Sequence, residues 1–324
     1  MLVAQDKNGK LVNLLEGIPE PQDFLCPACQ KAVRLKNGKV MRPHFAHISL
    51  KNCCFFQENE SEEHLSLKAD LYTSLSRSEM VQVEKLLPDL GQIADLFVGE
   101  KLALEVQCSR LSEGRLRERT LSYQKAGYQV LWLLGEKLWL GNKITSLQKQ
   151  FLYFSQNMGF HLWELDKEQR QIRLKYLIYE DLEGNLSYLE KVSSLDGDLM
   201  TFFRSPFACQ PLPSYRVKQN QTILSVIQRG LMARHPRWMA RQAEAYVLGG
   251  NLLAQTVDDF FPQVRPLVAK DGFCQISQDL SDFCTAFFQY YKKLENKQFQ
   301  RLYPPIFYKK ALAKASENVT IKEK

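Results

Sequence analysis

The stretch Ile93-Ala94-Asp95-Leu96-Phe97-Val98-Gly99-Glu100-Lys101-Leu102-Ala103-Leu104-Glu105-Val106-Gln107 decides how the chain is read. Side chains alternate between faces along a strand. Leu102, Leu104 and Val106 then share one face of a strand, with Ala103, Glu105 and Gln107 on the other. In the strand before it, Ala94, Leu96 and Val98 share a face and Asp95 lies opposite. A three-residue loop at Gly99-Glu100-Lys101 sets Val98 across from Leu102, Leu96 across from Leu104 and Ala94 across from Val106. That register makes one face wholly apolar, whereas a two-residue loop mixes polar and apolar on both faces. The same register sets Asp95 directly across from Glu105.

Two adjacent carboxylates repel each other unless a proton or a cation lies between them. Mg²⁺ takes oxygen ligands and is commonly held by one or two carboxylates together with substrate phosphate. Such an ion polarises a phosphodiester and activates water. The pair therefore predicts a Mg²⁺ (or Mn²⁺) site, with Gln107 on the same face to orient the water. The alternative is a solvated outer face, which antiparallel sheets commonly carry.

Outward from this hairpin, residues 59–135 read helix, strand, strand, strand, helix, strand. Leu65, Leu67, Leu71 and Leu75 mark the first helix. Val81–Leu87, Ile93–Val98, Leu102–Gln107 and Tyr128–Leu134 are the strands. The second helix runs from about Glu113 to Ala126, stopped by Gly127. Beyond it the pattern predicts a helix over 144–157, then strands at Phe160–Leu165, Gln171–Tyr179 and Leu186–Lys191. Ser193–Gly197 is a boundary, and Thr222–Ala233, Pro236–Leu248 and Gln275–Lys297 read as helices. Asn8-Gly9 and Asn37-Gly38 mark tight hairpins in a β-rich start. The expected organisation is a β-rich module over 1–58, a mixed sheet flanked by helices over 59–195, and a mainly helical region over 196–324. The class is a combination of α/β and α+β.

Residues 60–135 carry a wider pattern: Glu60-Ser61-x-x-His64-x-x-x-Lys68, Glu84, Asp95, Glu105-Val106-Gln107-Cys108-Ser109, Glu118-Arg119-Thr120-x-x-Tyr123 and Val130-Leu131-Trp132. Together with Cys26-Pro-x-Cys29 and His44-Phe-Ala-His47, this pattern resembles the CoiA-like competence nuclease family, a branch of the PD-(D/E)XK nucleases. The resemblance implies a restriction-endonuclease-like sheet, DNA as substrate and a role in natural transformation, with recombination proteins as possible partners. It makes Asp95 and Glu105 metal ligands and gives Glu60 or Glu63 the completion of the site. Glu84 is placed to orient the site or to face water. Two positions depart from the superfamily motif. Ala94 stands in place of Pro. Gln107 stands in place of Lys, and it carries no charge and accepts no proton as a neutral lysine does.

Glu60, His64 and Lys68 recur at i, i+4 and i+8, one stripe of a helix. Lys68 and His64 on that stripe, and Arg115, Arg119 and Tyr123 on the second helix, are candidate DNA contacts. The rival reading pairs Arg115 and Arg119 with Glu113 and Glu118 on a neutral solvated face.

Cys26-Pro27-Ala28-Cys29 has the spacing of a metal knuckle, with His44 and His47 following and Cys53-Cys54 after them. Structural Zn²⁺ takes four such ligands. A module this small buries little core, so metal binding would supply folding energy. The set expected is Cys26, Cys29 and His47, with His44 or Cys53 as the fourth. The alternative is reduced cysteines beside a histidine-rich turn.

The chain has 324 residues and a formal net charge of +7, a balance that suits a polyanionic partner. No run of about 18 apolar residues is present to span a membrane. The first residues lack the basic-then-apolar pattern of a secretory signal, which predicts a cytoplasmic protein. Two functions remain: a Mg²⁺-dependent DNA nuclease, or a zinc-stabilised DNA-binding or recombination adaptor of the same fold that does little chemistry. Gln107 and the large helical remainder favour the second, and the paired acids favour the first.

Overall fold

The computed structural model of the chain describes residues 1–48 and 60–322. The N-terminal module is a five-stranded antiparallel sheet of β1 (Val3–Gln5), β2 (Leu11–Asn13), β3 (Phe24–Leu25), β4 (Ala32–Lys36) and β5 (His44–His47), in the order β2-β1-β3-β4-β5. Its small core gathers Ala4, Leu14, Phe24, Cys26, Val33 and Phe45. Asn37-Gly38 is not a tight hairpin: β4 ends at Lys36 and β5 begins at His44. Strand β1 is shared between two cores, because Leu2 and Val3 pack into the main body of the protein.

The main body is built on α1 (Glu62–Leu75), β6 (Val81–Leu87), β7 (Gln92–Val98), β8 (Leu102–Gln107), α2 (Glu113–Lys125), β9 (Gln129–Leu134), α3 (Ser146–Gln150), β10 (Tyr153–Ser155), β11 (Gly159–Asp166), β12 (Gln171–Glu180) and β13 (Leu186–Ser194). Its strands form one mixed sheet in the order β13-β12-β11-β9-β8-β7-β6, with β10 paired to β11. β8 and β11 flank β9 in parallel, and the other ladders are antiparallel. Helix α2 is the crossover that parallel neighbours β8 and β9 require.

Local chemistry sets the helix ends. Ser61 accepts the His64 N–H and Ser112 accepts the Arg115 N–H, each as the N-cap of its helix. Gly127, at φ +77°, turns the chain out of α2. The helix expected over 144–157 stops at Gln150. Its aromatic continuation, Tyr153 and Phe154, pairs instead with His161 and Phe160 across a turn that Gly159 permits at φ +61°.

The remainder holds α4 (Leu199–Arg204), β14 (Tyr215–Lys218), α5 (Ile223–Met232), α6 (Pro236–Val247), α7 (Ser281–Lys292), β15 (Phe299–Leu302) and α8 (Pro305–Lys322). β14 and β15 make a two-stranded ribbon in a region expected to be mainly helical. The helix expected over 275–297 is shorter at both ends. The Gln275 side chain is taken up by Thr120 and the Gln150 carbonyl, Asp279 accepts from Ser281, and Asn296 accepts from the Gln298 N–H. Phe283, Phe287, Tyr291 and Tyr308 join the same core as the sheet, so α7 and α8 pack on it. No described helix is long and apolar enough to cross a membrane.

Candidate active site

The β7–β8 ladder pairs Val98 with Leu102, Phe97 with Ala103 and Leu96 with Leu104, the register that the apolar face requires. It ends there, one rung short of Asp95 and Glu105, so the two acids are not a ladder pair. The Val106 N–H donates to Asp95 Oδ2 at 2.9 Å, and Arg119 Nη2 donates to the Ile93 carbonyl at 3.3 Å. The Val106 N–H, which a continued ladder would pair with the facing strand, is met by the Asp95 side chain instead.

The parted strands line a cleft of about 210 Å³ bounded by Glu60, His64, Asp95, Glu105, Gln107 and Arg119, with Arg115 and Lys137 at its exposed rim. Helix α1 supplies one wall. His64 Nε2 lies 3.1 Å from Asp95 Oδ2, and its Nδ1 lies 3.5 Å from Glu60 Oε1. Lys68, fully buried, bonds Glu60, lies 2.6 Å from Glu84 Oε1 and 3.6 Å from Asp95 Oδ1. Ligand atoms of Glu60, His64 and Asp95 all lie within 4.8 Å of one another. Glu105 lines the same cleft outside that trio.

Each charge in the cleft is answered by another. Burial is the largest single influence and works against a charged His64, yet the Asp95 charge together with hydrogen bonds to Asp95 and Glu60 overcomes it and raises the imidazole to about 9. Burial alone would raise Asp95, but His64 and Lys68 hold it well below the usual carboxylate range. Glu105 differs. Arg119 Nη2 at 2.6 Å and the Tyr123 hydroxyl at 2.5 Å both donate to its Oε1. Burial still dominates, with Asp95 adding repulsion against the pull of Arg119, and Glu105 is raised to about 7.

Glu84 sits in left-handed backbone at φ +48° and is skipped in the β6–β7 ladder between Val83 and Lys85. That conformation is costly for a residue with a Cβ, and such residues cluster at functional sites. Its carboxylate accepts the N–H groups of Leu2 at 2.8 Å and Val3 at 3.0 Å, as well as Lys68. Strand β1 of the N-terminal module thereby anchors one edge of the cleft.

Several candidates stand elsewhere than expected. Glu63 accepts the Glu136 N–H at 2.9 Å and takes no place in the acid group, because α1 turns it towards the end of β9. Lys68 is enclosed by three acids, so it offers no free charge to phosphate. Tyr123 is fully buried and Arg119 is committed to Glu105, so both face the sheet rather than DNA. Arg115 is exposed on the rim. The Gln107 amide donates to the Ser109 carbonyl at 2.8 Å. Among the residues not singled out from sequence, Lys137 and the Leu2 and Val3 amides shape the site. The i, i+4 spacing of Arg119 and Tyr123 was the available sign that both point one way.

In the N-terminal module, Cys26, Cys29 and His47 bring their ligand atoms within 4.8 Å of one another, with Cys29 Sγ 3.3 Å from His47 Nε2. Bond lengths at tetrahedral zinc imply a sulfur–nitrogen separation of roughly 3.6 Å, so the trio fits such an ion. His44 does not join it: its Nδ1 bonds the Arg42 carbonyl at 2.9 Å, and three residues along β5 it lies on the other face from His47. Cys53 lies outside the described residues.

Residues 60–205 match the family model "Competence protein CoiA, nuclease-like domain", and residues 11–56 match "Competence protein CoiA, N-terminal domain". Competence protein CoiA of Bacillus subtilis (strain 168) is 31% identical over 116 residues, which span 35% of this chain and 31% of that protein. No solved structure matches. The two matched segments take in more than half of the chain, which belongs to the CoiA-like competence proteins.

Proposed function

We propose that the chain is a divalent-metal-dependent DNA nuclease of natural transformation, with a restriction-endonuclease-like site on β7 and β8. The observation that carries the reading is the convergence of Glu60, His64 and Asp95 ligand atoms within 4.8 Å in a cleft that Glu105 also lines. Two carboxylates and an imidazole suit Mn²⁺ and accept Mg²⁺. Bound there, the ion would polarise a phosphodiester and lower the pKa of a water.

The chain's own residues do the rest. Asp95, fixed by the Val106 N–H, and Glu60 supply anionic oxygens, and a deprotonated His64 supplies nitrogen. Arg119 and Tyr123 hold Glu105 facing the cleft. Lys68 and Glu84 set the position of Glu60 and Asp95. Arg115 and Lys137, exposed at the mouth, are the cations available to a backbone phosphate. Cys26, Cys29 and His47 hold a structural zinc that stabilises the module anchoring Glu84.

A second reading, a DNA-binding or recombination adaptor with little chemistry, is favoured by one observation. Gln107, where the superfamily motif has Lys, spends its amide on Ser109 and brings no charge to the cleft. Cleavage assays with Mg²⁺ or Mn²⁺ on single-stranded, double-stranded and branched DNA separate the two. The nuclease reading expects product from the parent and none from Asp95→Ala. Product absent from the parent, or equal in both, overturns it.

A further inference from the structure

The charge of the chain is unevenly spread. From Leu199 to Ala243 there is no aspartate or glutamate, while seven lysines and arginines fall in that stretch. They account for the whole formal net charge of +7, and the rest of the chain is balanced. The cleft of the nuclease-like segment lies elsewhere, with its cations paired or at its own rim.

The stretch is folded, and five of its seven cations are exposed, with Arg237 and Arg241 half-buried. Arg216 and Lys218 lie two residues apart on β14, both exposed, and β15 sets exposed Arg301 opposite Arg216. Exposed Phe299 lies opposite Lys218, with the Arg216 guanidinium over its ring at 4.3 Å. Next come α5 and α6, joined by a three-residue turn and crossing closely: a Cβ at Gly230 would fall 2.2 Å from Trp238 Cδ1.

Arg234 occupies that turn at φ +50°. The bonds from His235 N to the Gly230 carbonyl (2.8 Å) and from Arg234 N to the Leu231 carbonyl (3.0 Å) define a helix C-cap whose left-handed residue is usually glycine. The arginine in that strained position is exposed to solvent. Arg229, one turn earlier, is exposed too. Of the seven cations only Arg237 forms an ion pair within 4.0 Å among the described residues, with Glu180 at 2.8 Å, although Glu180, Asp181 and Glu244 also act on Arg241 and Asp198 interacts with Arg204. An ordinary solvated stretch intersperses both signs, whereas this one carries a single sign until Glu244 near the end of α6.

We infer that the ribbon β14–β15 and the hairpin α5–α6 form a second nucleic-acid-binding surface, which grips backbone phosphates apart from the carboxylate cleft. Arginine forks match phosphate oxygens, and an exposed aromatic beside cations suits a base face. The hairpin is tied to the sheet through Glu180, the last residue of β12, and Leu182 just past it. Three strand spacings separate β12 from β8, at least about 15 Å. A nucleic acid held on this surface thus reaches the cleft only by running across the sheet. The inference rests on the reading of the protein as one that handles DNA, but it concerns binding and needs no cleavage.

The test is fluorescence anisotropy of labelled single- and double-stranded DNA oligonucleotides with the full chain, without added divalent metal, over a range of salt. Arg229→Glu with Arg234→Glu is compared with Lys7→Glu with Lys10→Glu, an equal charge change at exposed lysines outside the stretch. Arg229→Gln with Arg234→Gln is the milder variant, and thermal melting checks that each folds. The hairpin variant should bind about tenfold more weakly or worse, with the salt slope reduced by about 2. The lysine variant should bind as the parent does. Unchanged affinity in both folded hairpin variants, or an equal loss in the lysine variant, overturns the proposal. Polyglutamate displacing DNA at equal charge concentration would overturn it in favour of an acidic peptide. Asp95→Ala should bind like the parent, so loss of cleavage and loss of this surface are read separately.

Discussion

Asp95 Oδ2 accepts the backbone N–H of Val106 at 2.9 Å, across two strands that stop pairing one rung earlier. This bond opens the sheet at the point where the acids gather. It leaves the second Asp95 oxygen towards Lys68 and sets Oδ2 against His64. The cleft is therefore a product of side chains competing with a β-ladder.

Tyr123 tests whether α2 scaffolds the site or contacts DNA. Its hydroxyl donates to buried Glu105, and its side chain has no exposed surface. Tyr123→Phe should lower unfolding stability by roughly 1–3 kcal/mol, the cost of leaving a buried acceptor short of a donor. DNA affinity should not change. Chemical denaturation and anisotropy measure the two; weaker DNA binding at unchanged stability would return Tyr123 to the DNA-contacting role.

Gly135 closes the end of β9 against the cleft. An added Cβ would fall 2.6 Å from Glu63 Oε1, 2.8 Å from Cys108 Sγ and 3.1 Å from Cys108 Cα. Backbone is among the obstacles, so rotamer changes alone cannot relieve the clash. Gly135→Ala should cost about 1–3 kcal/mol and lower any cleavage rate by shifting the end of β8. A melting temperature equal to the parent's would show that the close approach is not as described.

The hairpin register, helix α2 and the strand after it were legible because each follows from apolar periodicity and a turn, while the parallel pairing of β8 with β9 came only with the structure. The break at Asp95 was not, since it depends on which hydrogen bonds a side chain wins. Arg119 and Tyr123 looked like surface residues because periodicity does not show that a buried Glu105 awaits a guanidinium. Glu63 and His44 show the same limit, Glu63 one residue before His64 on α1 and His44 three residues from His47 on the opposite face of β5. The helices over 144–157 and 275–297 were overextended because aromatic runs suit strand and helix alike, and tertiary partners of Tyr153 and Gln275 decided between them.

Zinc binding distinguishes the two histidines of β5. His47 meets Cys29, and His44 bonds a carbonyl on the other side. Atomic absorption on purified protein should find zinc in the parent and in His44→Ala, and little in His47→Ala or Cys26→Ser. Zinc retained by His47→Ala, or absent from the parent, would contradict the assignment.

Acid stability should report on His161. The ring is buried beside Tyr153, and burial lowers it from its usual 6.5 to about 4. Above about 6.5 it is neutral folded or unfolded and contributes no pH dependence. As pH falls from there towards 4, the unfolded chain takes up a proton that the folded chain refuses, and stability drops. The full effect is about 3 kcal/mol below pH 4. Denaturant melts should show a shallower loss between those values for His161→Phe than for the parent. Parallel pH curves would show that His161 is not held neutral.

The central claim is that the cleft formed by Glu60, His64, Asp95 and Glu105 takes a divalent cation. Titration of the full chain with Mn²⁺ in a calorimeter tests it without reference to any substrate. The account predicts a saturable site in the parent that is lost in Asp95→Ala and weakened in His64→Ala, with Glu63→Gln like the parent. Equal Mn²⁺ binding by the parent and by a folded Asp95→Ala would contradict it.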